Sequence, residues 1–161
     1  MGVVDQPRFE AMDNDPDDYR PGSSWALSVD PEDRAAFGVI HERIGVGDRI
    51  PRHWHDVDEV VLYEGGAARV HLDGQDHEVK TGAIVFIPAG AVHGTLNVGT
   101  EPVAIRAVFP TTTVRMDAVE RNPAPGTESA PPMATTYDFR TGAATVHGPT
   151  GAPPPARRTG G

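Results

Sequence analysis

Two stretches decide the reading of this 161-residue chain. The first is Gly47-Asp48-Arg49-Ile50-Pro51-Arg52-His53-Trp54-His55-Asp56-Val57-Asp58-Glu59, which runs on to Gly66. The second is Gly82-Ala83-Ile84-Val85-Phe86-Ile87-Pro88-Ala89-Gly90-Ala91-Val92-His93-Gly94-Thr95-Leu96-Asn97. Successive side chains of a strand point to opposite faces, so His53 and His55 share one face and Trp54 takes the other. Asp56-Val57-Asp58 reads as a polar, solvated turn, after which Glu59 opens the apolar run Val60-Val61-Leu62-Tyr63. A hairpin of that kind returns Glu59 across from the two histidines. His93 follows a Pro88-Ala89-Gly90 corner, and alternation puts Thr95 and Asn97 on its face. Two imidazoles from one strand, a third from elsewhere and one carboxylate suit a borderline divalent ion such as iron, manganese, nickel, copper or zinc. Such a set leaves coordination positions open for water, oxygen or substrate.

Both stretches resemble the signature motifs of the cupin superfamily, G-x5-H-x-H-x3-E-x6-G and G-x5-P-x-G-x2-H-x3-N. Every specified residue is in register: Gly47, His53, His55, Glu59 and Gly66, then Gly82, Pro88, Gly90, His93 and Asn97. Gly and Pro each fill only about 5 to 7% of positions in ordinary chains, so the match is not coincidence. The resemblance covers about half the chain, from Phe37 to Arg115. The short gap between the motifs, Ala67 to Thr81, is similar to that of small single-barrel (type-2) members. The resemblance implies an all-β fold, a double-stranded β-helix or jelly-roll barrel. It also implies that His53, His55, Glu59 and His93 are the metal ligands, with Fe(II) foremost and Mn, Ni, Zn or Cu as alternatives. Small cupins are commonly homodimers, so a homodimer is expected, with the N-terminal arm crossing its interface.

Alternation also marks a pocket lining. Arg49 and Pro51 fall on the face of His53, Val61 and Tyr63 on that of Glu59, and Thr95 on that of His93. An inward Arg49 guanidinium would clamp a substrate carboxylate or enolate in bidentate fashion; the competing reading is a strand-end residue whose charge reaches solvent. Tyr63 is the candidate proton donor beside the ion, against an ordinary core-to-rim tyrosine. His41 is a further candidate base if its strand turns it inward. His71 and His77 flank an Asp73-Gly74 hairpin turn and are expected to be solvated, with His147 another surface or packing residue. Trp54 and Phe86 are expected to pack.

Composition sets the outer limits. With 18 Gly and 16 Pro, the chain is punctuated into short strands rather than long helices. A net charge of −9 disfavours nucleic acid and anionic membranes as partners. No cysteine is present, which excludes disulfides and thiolate metal sites. The N-terminus lacks a basic segment followed by an apolar run, and glycine and proline break the weakly charged 81–100 stretch into strand-sized pieces. Cytoplasm is the default expectation.

Three parts follow. Residues 1–34 form an arm, with an acidic loop at Asp13–Asp18 and an N-capped helical turn at Asp30-Pro31. Residues 35–119 form the barrel. Its expected strands are 37–44, 48–55, 59–63, 67–72, 75–80, 84–87, 92–97 and 103–109, enough for two sheets. Residues 120–161 form a tail, in which eight Pro and six Gly between Asn122 and Gly161 oppose regular packing. Thr136-Tyr137-Asp138-Phe139-Arg140 could still add a strand, and disorder is expected from about residue 148. Three function classes fit: a mononuclear iron dioxygenase or related oxidoreductase acting on a small organic molecule, a non-redox isomerase, cyclase or decarboxylase, and a small-molecule-binding barrel without turnover.

Overall fold

The computed structural model describes residues 2–155, which form two facing antiparallel sheets and, among the described residues, no helix. The first sheet comprises β1 (Glu10–Met12), β2 (Arg20–Val29), β3 (Gly38–Ile44), β10 (Val103–Phe109), β5 (Glu59–Gly65) and β8 (Ile84–Ile87), in that spatial order. The second runs β13 (Ala143–Pro149), β12 (Met133–Asp138), β11 (Thr113–Ala118), β4 (Arg49–His55), β9 (His93–Asn97), β6 (Ala67–Leu72) and β7 (Gln75–Lys80). The chain crosses repeatedly between them, and the result is the expected jelly-roll barrel.

Alternation builds the core. Along β10, Val103, Ile105, Ala107 and Phe109 are buried while Arg106 points out. On β5, Glu59, Val61 and Tyr63 are buried in the same way. These side chains meet Val70 of β6 and Val114 of β11 from the opposite sheet. Apolar burial of this kind is the main stabilising term, about 25 cal/mol per Å² removed from water. Gly66 shows why one motif glycine is needed. Its φ is +79°, and a Cβ there would lie 2.9 Å from the Pro102 carbonyl and 3.0 Å from Val103 Cα.

The expected strands all form, four of them with the bounds read from sequence. Five more join them. The segment read as an arm contributes β1 and β2, and β2 pairs with β3 of the same chain from Ser24↔Arg43 to Val29↔Gly38. The segment read as a tail contributes β12 and β13, which extend the second sheet through β11. Asp30 caps a turn by accepting the Glu32, Arg34 and Ala35 amides, but no helical turn follows, because Asp33 takes a φ of +54°. Of the stretch expected to be disordered, β13 reaches Pro149, and residues 156–161 lie outside the described residues.

The N-terminal segment is fastened across the barrel mouth by Arg121. This buried guanidinium donates to Asp17 Oδ1 (2.8 Å), to the Pro16 carbonyl (3.0 Å) and to the Thr127 carbonyl (2.7 Å). Asn122 adds an isolated bridge to Asp18. These ties hold residues 14–20 against the open end of the interior.

Candidate metal centre and cavity

His53 and His55 lie on β4, and His93 sits directly opposite His53 on β9. Glu59 reaches in from β5 of the other sheet. One ligand atom from each of the four lies within 4.8 Å of the others, and all four residues are buried. The ring centroids of His53 and His93 are 4.2 Å apart, and those of His53 and His55 4.8 Å. The four residues singled out in the sequence therefore meet at one place inside the barrel.

Backbone carbonyls orient each imidazole. His53 Nδ1 donates to the Pro51 carbonyl (2.7 Å), His93 Nδ1 to the Ala91 carbonyl (2.9 Å), and His55 Nδ1 to the Arg115 carbonyl of β11 (2.8 Å). With the proton fixed on Nδ1, each Nε2 lone pair is left as the donor. The Glu59 Oε2 atom is 2.9 Å from His93 Nε2 and 3.6 Å from His55 Nε2. Glu59 Oε2 and His93 Nε2 are nevertheless buried without a hydrogen-bond partner among the described residues. Orphaned buried polar atoms cost roughly 1–3 kcal/mol each. A cation at the common centre would satisfy both, and the donor set therefore fits a divalent ion.

Protonation follows the same geometry. Burial, reinforced by the neighbouring imidazoles, drives His53 well below its ordinary range. Burial together with His93 takes His55 down to about 3. Both rings are thus neutral and ready to ligate. His93 moves upward instead: burial alone would lower it, but the adjacent Glu59 carboxylate outweighs that cost.

A cavity of about 130 Å³ opens beside the cluster, comparable to one that admits a benzene-sized molecule. Pro51, Val61, Tyr63 and Thr95 line it, as alternation foretold. The buried Tyr63 hydroxyl lies 2.8 Å from Thr95 Oγ1, and burial pushes its pKa up to about 12.

Two candidates lie elsewhere. Arg49 faces outward, 45% exposed, donating to Asn122 Oδ1 and the Arg121 carbonyl and pairing with Glu120. A register shift between Ile50 and His53 breaks the alternation that predicted an inward guanidinium, and Ile50 lines the cavity instead. His41 also faces away from the interior and contacts Ser28 Oγ at 3.1 Å. Its neighbour Glu42 points inward. Phe86, expected to pack, is 70% exposed on edge strand β8. Asp58 sits in an exposed turn as expected but accepts the Ala89 amide at 2.9 Å, which holds the corner before His93.

Sequence reasoning missed the wall across the cavity from the histidines, which holds Arg20, Glu42, Asp18, Trp25 and Tyr137. A signal existed for Glu42: Ile40 and Ile44 flank it at even spacing on one face of β3, which places Glu42 inside. No comparable signal marked Arg20, because Pro21-Gly22 interrupts its strand pattern.

A jelly-roll barrel with three histidines and a glutamate converging on its interior defines a class of barrel able to hold a divalent metal. The Cupin domain family profile matches residues 40–109, the stretch that holds both ligand motifs, so this part of the chain is similar to a cupin domain. Among known proteins, the dimethylsulfoniopropionate lyase DddW of Ruegeria pomeroyi is 30% identical over 76 residues. That match spans 47% of this chain and 48% of the relative, so the chain aligns with about half the length of that protein. Among solved structures, a sugar phosphate isomerase of the cupin superfamily from Silicibacter pomeroyi superposes with a TM-score of 0.63 at 22% identity, over 94% of this chain and 97% of the other. The polyketide cyclase RemF from Streptomyces resistomycificus gives a TM-score of 0.57 at 20% identity, over 76% and 82%. Both structural likenesses are likenesses of fold.

Proposed function

We propose that this chain is a metal-dependent enzyme acting on a small organic molecule, with His53, His55, Glu59 and His93 holding one divalent first-row ion. The observation that carries the reading is the pair of orphaned buried atoms, Glu59 Oε2 and His93 Nε2, facing each other beside a cavity of substrate size. When bound, the ion supplies Lewis acidity to a substrate oxygen. Iron(II) is the foremost ion, and manganese, nickel, zinc and copper suit the same donors.

The chemistry best supported is non-redox proton transfer, of the lyase, isomerase or cyclase kind. Tyr63 is the group for it: its hydroxyl opens on the same cavity as the ligand cluster, and Thr95 orients it. Such a group contributes typically 10²–10⁴-fold to rate. The iron dioxygenase expected first from the sequence is the second reading. It is favoured by a thiolate-free donor set of neutral imidazoles and one carboxylate that leaves positions open. Arg49 has no part in either, since its side chain lies outside the cavity.

The test is turnover of a small-molecule panel under argon and in air, starting with dimethylsulfoniopropionate, the compound for which the 30%-identical relative is named. Product formation under argon that depends on added metal is the expected result. Metal-dependent oxygen uptake with no anaerobic turnover would replace it with the dioxygenase reading. Ligand binding unaffected by chelation, with no turnover in either atmosphere, would reduce the protein to a binding barrel.

A further inference from the structure

The cavity is electrically lopsided. Away from the histidines, its wall carries the carboxylates of Asp15, Asp18 and Glu42 against the single guanidinium of Arg20. Arg20 is 2% exposed and donates to Glu42 Oε2 at 2.8 Å and Asp18 Oδ2 at 2.7 Å. That leaves an excess of negative charge on a wall largely shielded from water. The Nε of the buried Arg20 has no hydrogen-bond partner among the described residues. The protein alone therefore leaves a donor unanswered here.

Aromatic rings complete the wall. Trp25 and Tyr137 meet edge to face, with centroids 6.0 Å apart and planes at 77°, and both line the cavity. Two rings at that angle form a corner that lines the same cavity as the carboxylates, and their faces carry negative potential. A positive charge within about 6 Å of such a ring is attracted by its quadrupole, and more strongly where water is excluded. Burial and the surrounding carboxylates, Asp15 and Asp18 foremost, also keep the Tyr137 hydroxyl protonated far above its ordinary range.

We propose that this wall recognises an organic cation, held against the Trp25–Tyr137 corner by the charges of Asp15, Asp18 and Glu42, so that the substrate is positively charged at its end remote from the histidines. The inference rests on the cavity being the substrate site. It requires neither a particular metal nor a particular reaction. An oxygen on the same molecule would answer the unpartnered Arg20 donor. The segments that supply Asp15, Asp18, Arg20, Trp25 and Tyr137 all lie outside the 40–109 stretch matched by the family profile.

The experiment compares choline with its uncharged carbon isostere, 3,3-dimethylbutan-1-ol, by NMR-detected titration of the full chain. Choline is expected to bind at least tenfold more tightly. Asp15→Asn, which keeps the oxygen that accepts the Asp17 and Asp18 amides, is expected to cut that preference several-fold. Trp25→Leu is expected to do the same, whatever becomes of a less robust Glu42→Gln. Ethanolamine as a third probe separates a hydrogen-bonding ammonium from an alkylated onium, and tenfold or greater preference for either cation supports the site. Equal affinity for choline and the isostere, or a preference unchanged in both Asp15→Asn and Trp25→Leu, overturns it. Metal content measured on the same samples keeps the two readings apart. Loss of the ion with the cation preference intact defeats only the metal-enzyme reading, and the reverse defeats only this one.

Discussion

Asn97→Ala should destabilise the barrel by about 3 kcal/mol, well above what an average polar substitution costs. Asn97 is 3% exposed at the end of β9, four residues beyond His93. Its Nδ2 donates to the carbonyls of Ile44 (2.9 Å), Gly45 (3.0 Å) and Glu101 (2.9 Å), while its Oδ1 accepts the Gly99 amide (2.9 Å). One side chain thereby ties the end of β3, in one sheet, to β9, in the other. The Ile44 and Gly45 contacts are buried, and leaving such groups unpaired costs about 1–3 kcal/mol each; the two partly buried contacts count for roughly 0.5 kcal/mol each. Two N–H groups serve three carbonyls, so the sum is discounted to about 2–4 kcal/mol. Urea unfolding of the wild type and variant measures it as a shift in midpoint at constant slope. A loss below about 1 kcal/mol would refute the reasoning, because the carbonyls would then have found other partners. Asn97→Asp should be worse than Ala, since it turns a carboxylate toward three carbonyl oxygens in a buried place.

Other consequences can be checked independently. Tyr63→Phe should lower turnover by about 10²–10⁴-fold while costing only about 1 kcal/mol of stability through the lost Thr95 bond; equal activity in steady-state assays would remove Tyr63 from the chemistry. Without metal, stability should fall as pH drops below the ordinary histidine range. His53 and His55 are depressed in the folded state, so the unfolded chain binds the protons first, and the contribution at neutral pH is lost toward the His55 value of about 3. The slope is at most about 1.4 kcal/mol per pH unit for each ring, read from unfolding midpoints across pH; a flat profile there would contradict their burial as neutral groups. Light scattering should give twice the 17.1 kDa chain mass. Ile84 and Phe86, 52% and 70% exposed on edge strand β8, are the apolar surface a partner would cover. A monomer mass that Phe86→Lys leaves unchanged would rule out the dimer.

The sequence was most legible where side-chain alternation and motif coincided. Between Gly38 and Phe109 most strands alternate and end near a glycine or proline, so the strands could be placed from period two, while the motif resemblance supplied the ligands. Legibility failed where the backbone left that period. The irregularity between Ile50 and His53 changed which residues ahead of His53 face inward, and a one-residue slip is enough to turn Arg49 to the outside. It failed again where the interior is charged. Arg20 and Glu42 are inward residues of a kind that a hydrophobic pattern counts as exposed, and their mutual ion pair across β2 and β3 exists only in three dimensions. The terminal strands β2 and β13 were obscured by Pro21-Gly22 and by the proline-rich stretch after Asn122, whereas the Thr136-Tyr137-Asp138 run of β12 did suggest a strand. Their stability comes from pairing with the barrel rather than from local propensity.

Elemental analysis of protein purified without added metal, beside an apo control reloaded with each first-row ion, bears most directly on the central claim. One equivalent of a divalent ion is expected in the wild type, its loss in His53→Ala and in His93→Ala, and weakened retention in Glu59→Ala. A His53→Ala protein that keeps its full complement, or a folded wild type that takes up none of the ions offered, would contradict it.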